Sequence, residues 1–190
     1  MIAVGMQADV WVLERSVDRM RELDTMLGGR ITLSISNRHA VEEAIVDADL
    51  VIGAVLVHGA KAPHLVTRDM LGLMKRAAVL VDVAIDQGGC FETSRPTTHS
   101  DPVYEVDGVV HYCVANMPGA VPITSTKGLT NVTLPYVELI ARHGAEEAIR
   151  RSRPLARGVN VMAGAITNEP VAESLGYVTT PIGELVEGAG

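Results

Sequence analysis

The chain has 190 residues, enough for one domain or for a domain with part of a second, and 47% of them are hydrophobic while only 3% are aromatic. Its core must therefore be built from Val, Leu, Ile, Ala and Met. A formal net charge of −7 and a sequence pI near 5.3 argue against nucleic acid or an anionic membrane as the main partner.

Strand-like and helix-like segments alternate over the first two-thirds of the chain. Ile2 to Gln7 reads as a helix end and Val10 to Glu14 as a strand. Ser16 is placed to cap a helix that runs to about Leu27 and stops at Gly28-Gly29. Ile31 to Ser36 is the next strand and Arg38 to Val46 a short helix. Leu50 to Leu56 and Ala78 to Ala84 are apolar without alternation, as suits parallel strands covered on both faces, with a helix expected over Thr67 to Met74 between them. This β-α-β-α-β-α-β order is the pattern of a doubly wound α/β sheet.

Ser94 to Pro102 reads as a polar linker and Val109 to Ala115 as a further strand. Ser125 to His143 reads as a long helix, with a kink expected at Pro135 and a stop at Gly144. Ala145 to Ser152 continues helical, Val159 to Ile166 is extended, and Pro170 to Leu175 is a last short helix. No apolar run approaches the roughly 18 to 20 residues of a membrane span. The stretch Met1 to Met6 has no signal-peptide pattern, so a cytoplasmic location is expected. Cys90 and Cys113 lack metal-ligand spacing and read as reduced thiols.

In a dinucleotide-binding sheet, a glycine-rich turn follows the first strand, and an acid about 20 residues further on ends the second strand and binds the ribose. Glu14 closes the strand Val10 to Leu13 and precedes a capped helix, which suits that acid; taken alone, it reads more readily as a solvated carboxylate at a strand end. Only 13 residues precede it. The glycine loop and the first strand are therefore expected to lie outside these 190 residues, with the strands at Val10 and Ile31 separated from those at Leu50 and Ala78.

Ligands of open parallel sheets lie beyond the carboxyl ends of the strands. Those ends carry Glu14, Ser36, Val55-Leu56, Asp86 and Asn116. Asp86-Gln87-Gly88-Gly89 combines a carboxylate and an amide with flexible backbone, suited to orienting a substrate or taking up a proton. A turn with solvated polar residues is the plainer alternative.

The run Val81-Asp82-Val83-Ala84-Ile85-Asp86-Gln87-Gly88-Gly89-Cys90-Phe91-Glu92 resembles the signature of alanine dehydrogenases. So do Asp49 to Val57 with Gly59-Ala60-Lys61-Ala62-Pro63, Ser94 to Thr98, Tyr112 to Pro118, Thr130-Asn131 and Pro135-Tyr136. The likeness covers about residues 5 to 175, and related proton-pumping transhydrogenases resemble the chain less, because their counterpart of Ile85-Asp86-Gln87 lacks the aspartate. The resemblance implies a Rossmann-type sheet without its first strand and glycine loop over residues 1–123. Residues 124–190 would then be a long helix and the C-terminal part of a substrate domain.

It further implies NAD-dependent oxidative deamination of L-alanine to pyruvate and ammonium, with Asp86 catalytic. NAD contacts carry over to Glu14 (normally Asp), Arg19, Ser36, Val55, Leu56, Val83, Ala84, Ile85, Asp86, Arg95, Val114, Ala115, Asn116 and Met117. His143 stands where some family members hold a divalent cation, although a histidine at a helix end is also a favourable cap. His39, His58, His64, His99 and His111 read as structural or solvated.

The family's remaining catalytic groups, a lysine, a histidine and a carboxylate-binding arginine, come from an N-terminal half that these residues do not contain. The chain alone is thus expected to have little or no activity. Four readings stay open: a dehydrogenase fragment, one half of a split enzyme completed by a separate N-terminal half, a non-catalytic partner of full-length subunits, and a transhydrogenase α-subunit-like NAD-binding module. Homo-oligomers, hexamers in particular, are expected from the family.

Overall fold

The computed structural model describes residues 1–55 and 63–187. Two compact units divide them, one ending at Ala115 and the other beginning at Asn116.

In the first unit a short helix α1 (Ile2–Gly5) precedes β1 (Trp11–Glu14), α2 (Val17–Leu27), β2 (Thr32–Ile35), α3 (Arg38–Asp47) and β3 (Leu50–Gly53). Local signals set these elements. The Ser16 hydroxyl accepts the Arg19 amide at the start of α2, and Gly28 ends the helix in the left-handed conformation at φ 60°. Asn37 caps α3 by accepting the Ala40 amide. β4 (Val79–Asp82), β5 (Val103–Val106) and β6 (Val109–Tyr112) complete the unit.

β1 and β2 pair in parallel as a two-stranded sheet. A separate four-stranded sheet has the order β3-β4-β6-β5, parallel except for the β5–β6 hairpin. The sequence of strands β2-β1, then β3-β4-β6, is that of a doubly wound sheet interrupted between β1 and β3, the separation expected from the sequence. Along β3, Leu50 and Ile52 are 55% and 59% exposed, unusual for a strand of this type. The core lies around β4: Val41 and Ile45 of α3, Met70, Leu71, Leu80 and Phe91 are all buried in one cluster, with Leu13 and Val51 packed at its edge.

Three stretches differ from the sequence reading or add to it. The segment after Thr67 is a 3-10 helix (Arg68–Leu73), not an α-helix. It is short, holds Gly72, and closes through i→i+3 bonds such as Met70 N–H to Thr67 O at 3.1 Å. The stretch between Pro102 and Val109 is a strand, β5, and turns at Asp107 and Gly108, both at positive φ (51° and 85°). An Asp-Gly pair between alternating apolar residues is a two-residue hairpin signal.

The third stretch lies in the second unit, which consists of α4 (Pro122–His143), α5 (Ala145–Arg151), α6 (Arg153–Gly158), β7 (Val161–Met162), β8 (Ala165–Ile166), α7 (Glu169–Leu175) and α8 (Ile182–Glu187). The expected extended run from Val159 is a tight β7–β8 hairpin around Ala163-Gly164, both at positive φ. Helix α6, capped by Ser152, precedes it. The long helix α4 runs through Pro135. Among the described residues no helix is long and apolar enough to cross a membrane.

Candidate functional site

The carboxyl ends of the parallel strands in the first unit carry most of the residues singled out from the sequence. At the end of β1, the Glu14 side chain turns back on the chain: its Oε1 accepts the amides of Ser16 (2.9 Å) and Arg15 (2.6 Å). Those two bonds, Ser16 first, hold the carboxyl below its ordinary range, so Glu14 stays an anion into mild acid. Its Oε2 accepts no hydrogen bond among the described residues. The neighbouring strand end is joined to it, since the Ser36 amide donates to the Glu14 carbonyl at 2.9 Å. Arg19, on the first turn of α2, pairs with Glu22 at 2.7 Å on the surface.

After β3 and β4, two loops come together. The Val83 amide donates to Gly53 O at 2.8 Å, and the Cys90 thiol lies 3.9 Å from Val55 O. Ala84 and Ile85 are buried, whereas Val83 is exposed. Ile85–Gln87 forms one 3-10 turn that ends at Gly88 in the left-handed region. Asp86 sits on that turn, exposed, and its carboxylate makes no hydrogen bond or ion pair among the described residues. Beside it, Gln87 Oε1 is a buried acceptor without a partner among the described residues.

The geometry also explains close approach at Gly53. A Cβ there would lie 2.7 Å from Phe91 Cζ and 2.9 Å from Cys90 Cβ, so a side chain would push the two loops apart.

Arg95 is held by Tyr104, a residue the sequence reading did not single out. The Arg95 guanidinium carbon sits 3.9 Å above the Tyr104 ring. Its backbone N–H donates to Tyr104 Oη at 2.8 Å, and that hydroxyl donates to Thr93 O at 2.8 Å. Burial pushes the Tyr104 phenol upward, so it stays protonated. His111 stacks on the same ring at 4.9 Å. It is fully buried between Thr93 Oγ1 (2.7 Å from Nε2) and Val109 O (3.0 Å from Nδ1). The carbonyl can only accept, so Nδ1 carries the proton and Thr93 donates to Nε2. Burial lowers the His111 pKa, which keeps it neutral. This is the structural role expected of it.

Val114 is buried at the end of the last parallel strand, and the Ala115 amide donates to Thr97 O at 3.2 Å. Asn116 and Met117 belong to the second unit, where Asn116 is left-handed (φ 57°) and Met117 opens a 3-10 turn. Leu56, His58 and Lys61 lie outside the described residues. His143 is exposed in the last turn of α4. Among the described residues no group of three or more His, Cys, Asp or Glu is arranged to hold a metal ion.

The donor and acceptor set suits part of a dinucleotide. An ionised carboxylate at Glu14, with an oxygen left free among the described residues, matches a ribose diol, and Arg95 supplies a cation.

Known proteins resemble this chain in sequence and fold. The family model described as alanine dehydrogenase/PNT, C-terminal domain, matches residues 1–169. An alanine dehydrogenase of Halomonas elongata is 56% identical over 175 residues, covering 92% of this chain and 47% of that protein. One of Staphylococcus epidermidis is 50% identical over 182 residues, covering 95% and 49%. Among solved structures, an L-alanine dehydrogenase superposes with a TM-score of 0.82 at 47% identity, covering 92% of this chain and 48% of its own. A transhydrogenase from Sinorhizobium meliloti superposes with a TM-score of 0.64 at 25% identity, covering 85% and 43%. The chain thus spans about half the length of the curated relatives it matches. With the family model matched over residues 1–169, the chain belongs to the alanine dehydrogenase/pyridine nucleotide transhydrogenase family, whose C-terminal domain it contains.

Proposed function

We propose that these residues supply the NAD-binding domain and the catalytic aspartate of an enzyme that deaminates L-alanine oxidatively. The balanced reaction is alanine + NAD+ + H2O → pyruvate + NH4+ + NADH + H+. Residues 1–123 form the nucleotide-binding part and 124–190 the long helix and C-terminal piece of a substrate domain.

The observation that carries the reading is Asp86: an exposed carboxylate, without a partner among the described residues, on a tightly closed turn at the carboxyl ends of the parallel strands. NAD, when bound, supplies the hydride acceptor. Glu14 offers Oε2 to the ribose hydroxyls, and its two backbone partners keep it ionised for that purpose. Ser36, Val55, Leu56, Val83 to Asp86, Arg95 and Val114 to Met117 contribute the remaining contacts, with Arg95 aligned by Tyr104. Asp86 acts as an acceptor that orients the substrate or takes up a proton; general acid–base groups of this kind contribute about 10²–10⁴-fold in rate.

The break between β1 and β3 supports a second element of the proposal. A strand belongs in that gap, so the 190 residues alone have little activity and a complementing N-terminal half restores it. The enzyme works as a homo-oligomer in the cytoplasm. A transhydrogenase-like module is the competing reading, favoured by the Sinorhizobium meliloti likeness. Asp86 discriminates between them. The test is alanine-dependent NADH formation, measured on the 190-residue chain with and without an N-terminal half. Activity that appears only with the half supports the proposal; full activity without it, or none with it, counts against.

A further inference from the structure

We infer that Asp82 is the positioning residue of the turn that presents Asp86: its buried carboxylate fixes both ends of that turn. The catalytic consequence rests on the function proposed above; the clamp itself rests on geometry.

Asp82 ends β4 and is 0% exposed. It makes no ion pair among the described residues. A buried carboxylate is costly unless donors surround it. Three donors converge on it. The Ala84 amide donates to Oδ1 at 3.1 Å, the Cys90 amide to Oδ2 at 2.8 Å, and the Ser94 hydroxyl to Oδ2 at 2.5 Å.

Those partners have a pattern. Ala84 immediately precedes the Ile85–Gln87 turn, and Cys90 immediately follows Gly88-Gly89. One carboxylate therefore ties the entry of the segment to its exit. Inside, the loop closes on Ala84 O, which accepts from Gln87 N at 2.9 Å and Gly89 N at 3.1 Å. Every partner of Asp82 is a donor, so an acceptor-only side chain is required. An asparagine would set its own N–H₂ against either the Ala84 or the Cys90 amide.

Gly89 fits the same account. Its φ is +84°, and a Cβ there would lie 2.7 Å from Asp82 Oδ2 and 2.8 Å from Ser94 Cβ. The glycine is needed because the carboxylate occupies the space a side chain would fill. The third donor extends the clamp to the next segment, since Ser94 leads directly into Arg95.

The test compares wild type with Asp82→Asn and Ser94→Ala, using amide hydrogen exchange in the full chain and alanine-dependent NADH formation with the complementing half. Leaving a buried donor unsatisfied costs enough to speed local opening roughly 5- to 150-fold. Asp82→Asn should therefore speed exchange at Ala84 or Cys90 by that factor while Val110 in β6 is unchanged. Turnover per NADH-binding site should fall about 100-fold, the cost of a misplaced catalytic group. Unchanged exchange at both amides overturns the inference. So does a uniform rise across the unit, or turnover that falls only with the number of NADH-binding sites. Should Asp82→Asn fail to fold, Ser94→Ala removes one donor only and must show faster exchange at Cys90; no change there overturns the clamp. If wild type forms no NADH from alanine, the proposed function fails, and the exchange result still decides the role of Asp82.

Discussion

After β1, the Glu14 carboxylate is held by amides one and two residues away and remains in solvent. After β4, the Asp86 turn is held from the interior by Asp82, through donors two, eight and twelve residues away. The two strand ends thus reach order by different routes. A local arrangement needs only its own few residues and tolerates change around it. A buried clamp gathers distant segments, and its failure disturbs all of them. The sheets behind the two ends differ in the same sense: Leu80 of β4 is fully buried, while Leu13 of β1 only packs at the edge of the core.

The difference is open to mutation. Leu80→Ala should cost about 2–5 kcal/mol, because a filled site becomes a cavity. Leu13→Ala should cost clearly less, and equal losses in denaturant titrations would erase the contrast. Gly89→Ala should cost about 1–3 kcal/mol from its positive φ alone, and more from the contact with Asp82 Oδ2. Ser16→Ala, which removes the cap of α2, should cost about 1 kcal/mol and leave exchange at Cys90 unaltered. A loss as large as that of Gly89→Ala would show the first strand end to be less local than drawn.

The smallest effect is one of pH. Burial lowers the pKa of His111 below its ordinary 6.5. Between those values the unfolded chain binds more protons than the folded one, so the stabilising contribution of neutral His111 is complete above about 6.5 and declines as the pH falls through the folded value. His111→Gln should flatten the acid side of a melting-temperature profile; an unchanged slope would mean that another group sets it.

The same contrast explains what could be read from the sequence. The Ser16–Arg19 cap was legible because its two partners lie three residues apart. The sheet interruption was legible from the position of Glu14 relative to the expected glycine loop. The β5–β6 hairpin is written in Asp107-Gly108, yet the sequence reading assigns no element between Pro102 and Val109. Missing it hid Tyr104, which faces His111 across that hairpin and aligns Arg95. Asp82 carried a signal too, an acid at the end of an apolar strand, yet its partners depend on how the chain returns at Cys90 and Ser94. No periodicity reports such a return.

The account's central claim is that Asp86 acts in alanine oxidation, and the most direct measurement is kcat for alanine-dependent NADH formation by wild type and Asp86→Asn, each with the complementing half. The account predicts a loss of about 10²–10⁴-fold in kcat, with NADH still bound. A variant that turns over alanine at the wild-type rate would contradict it.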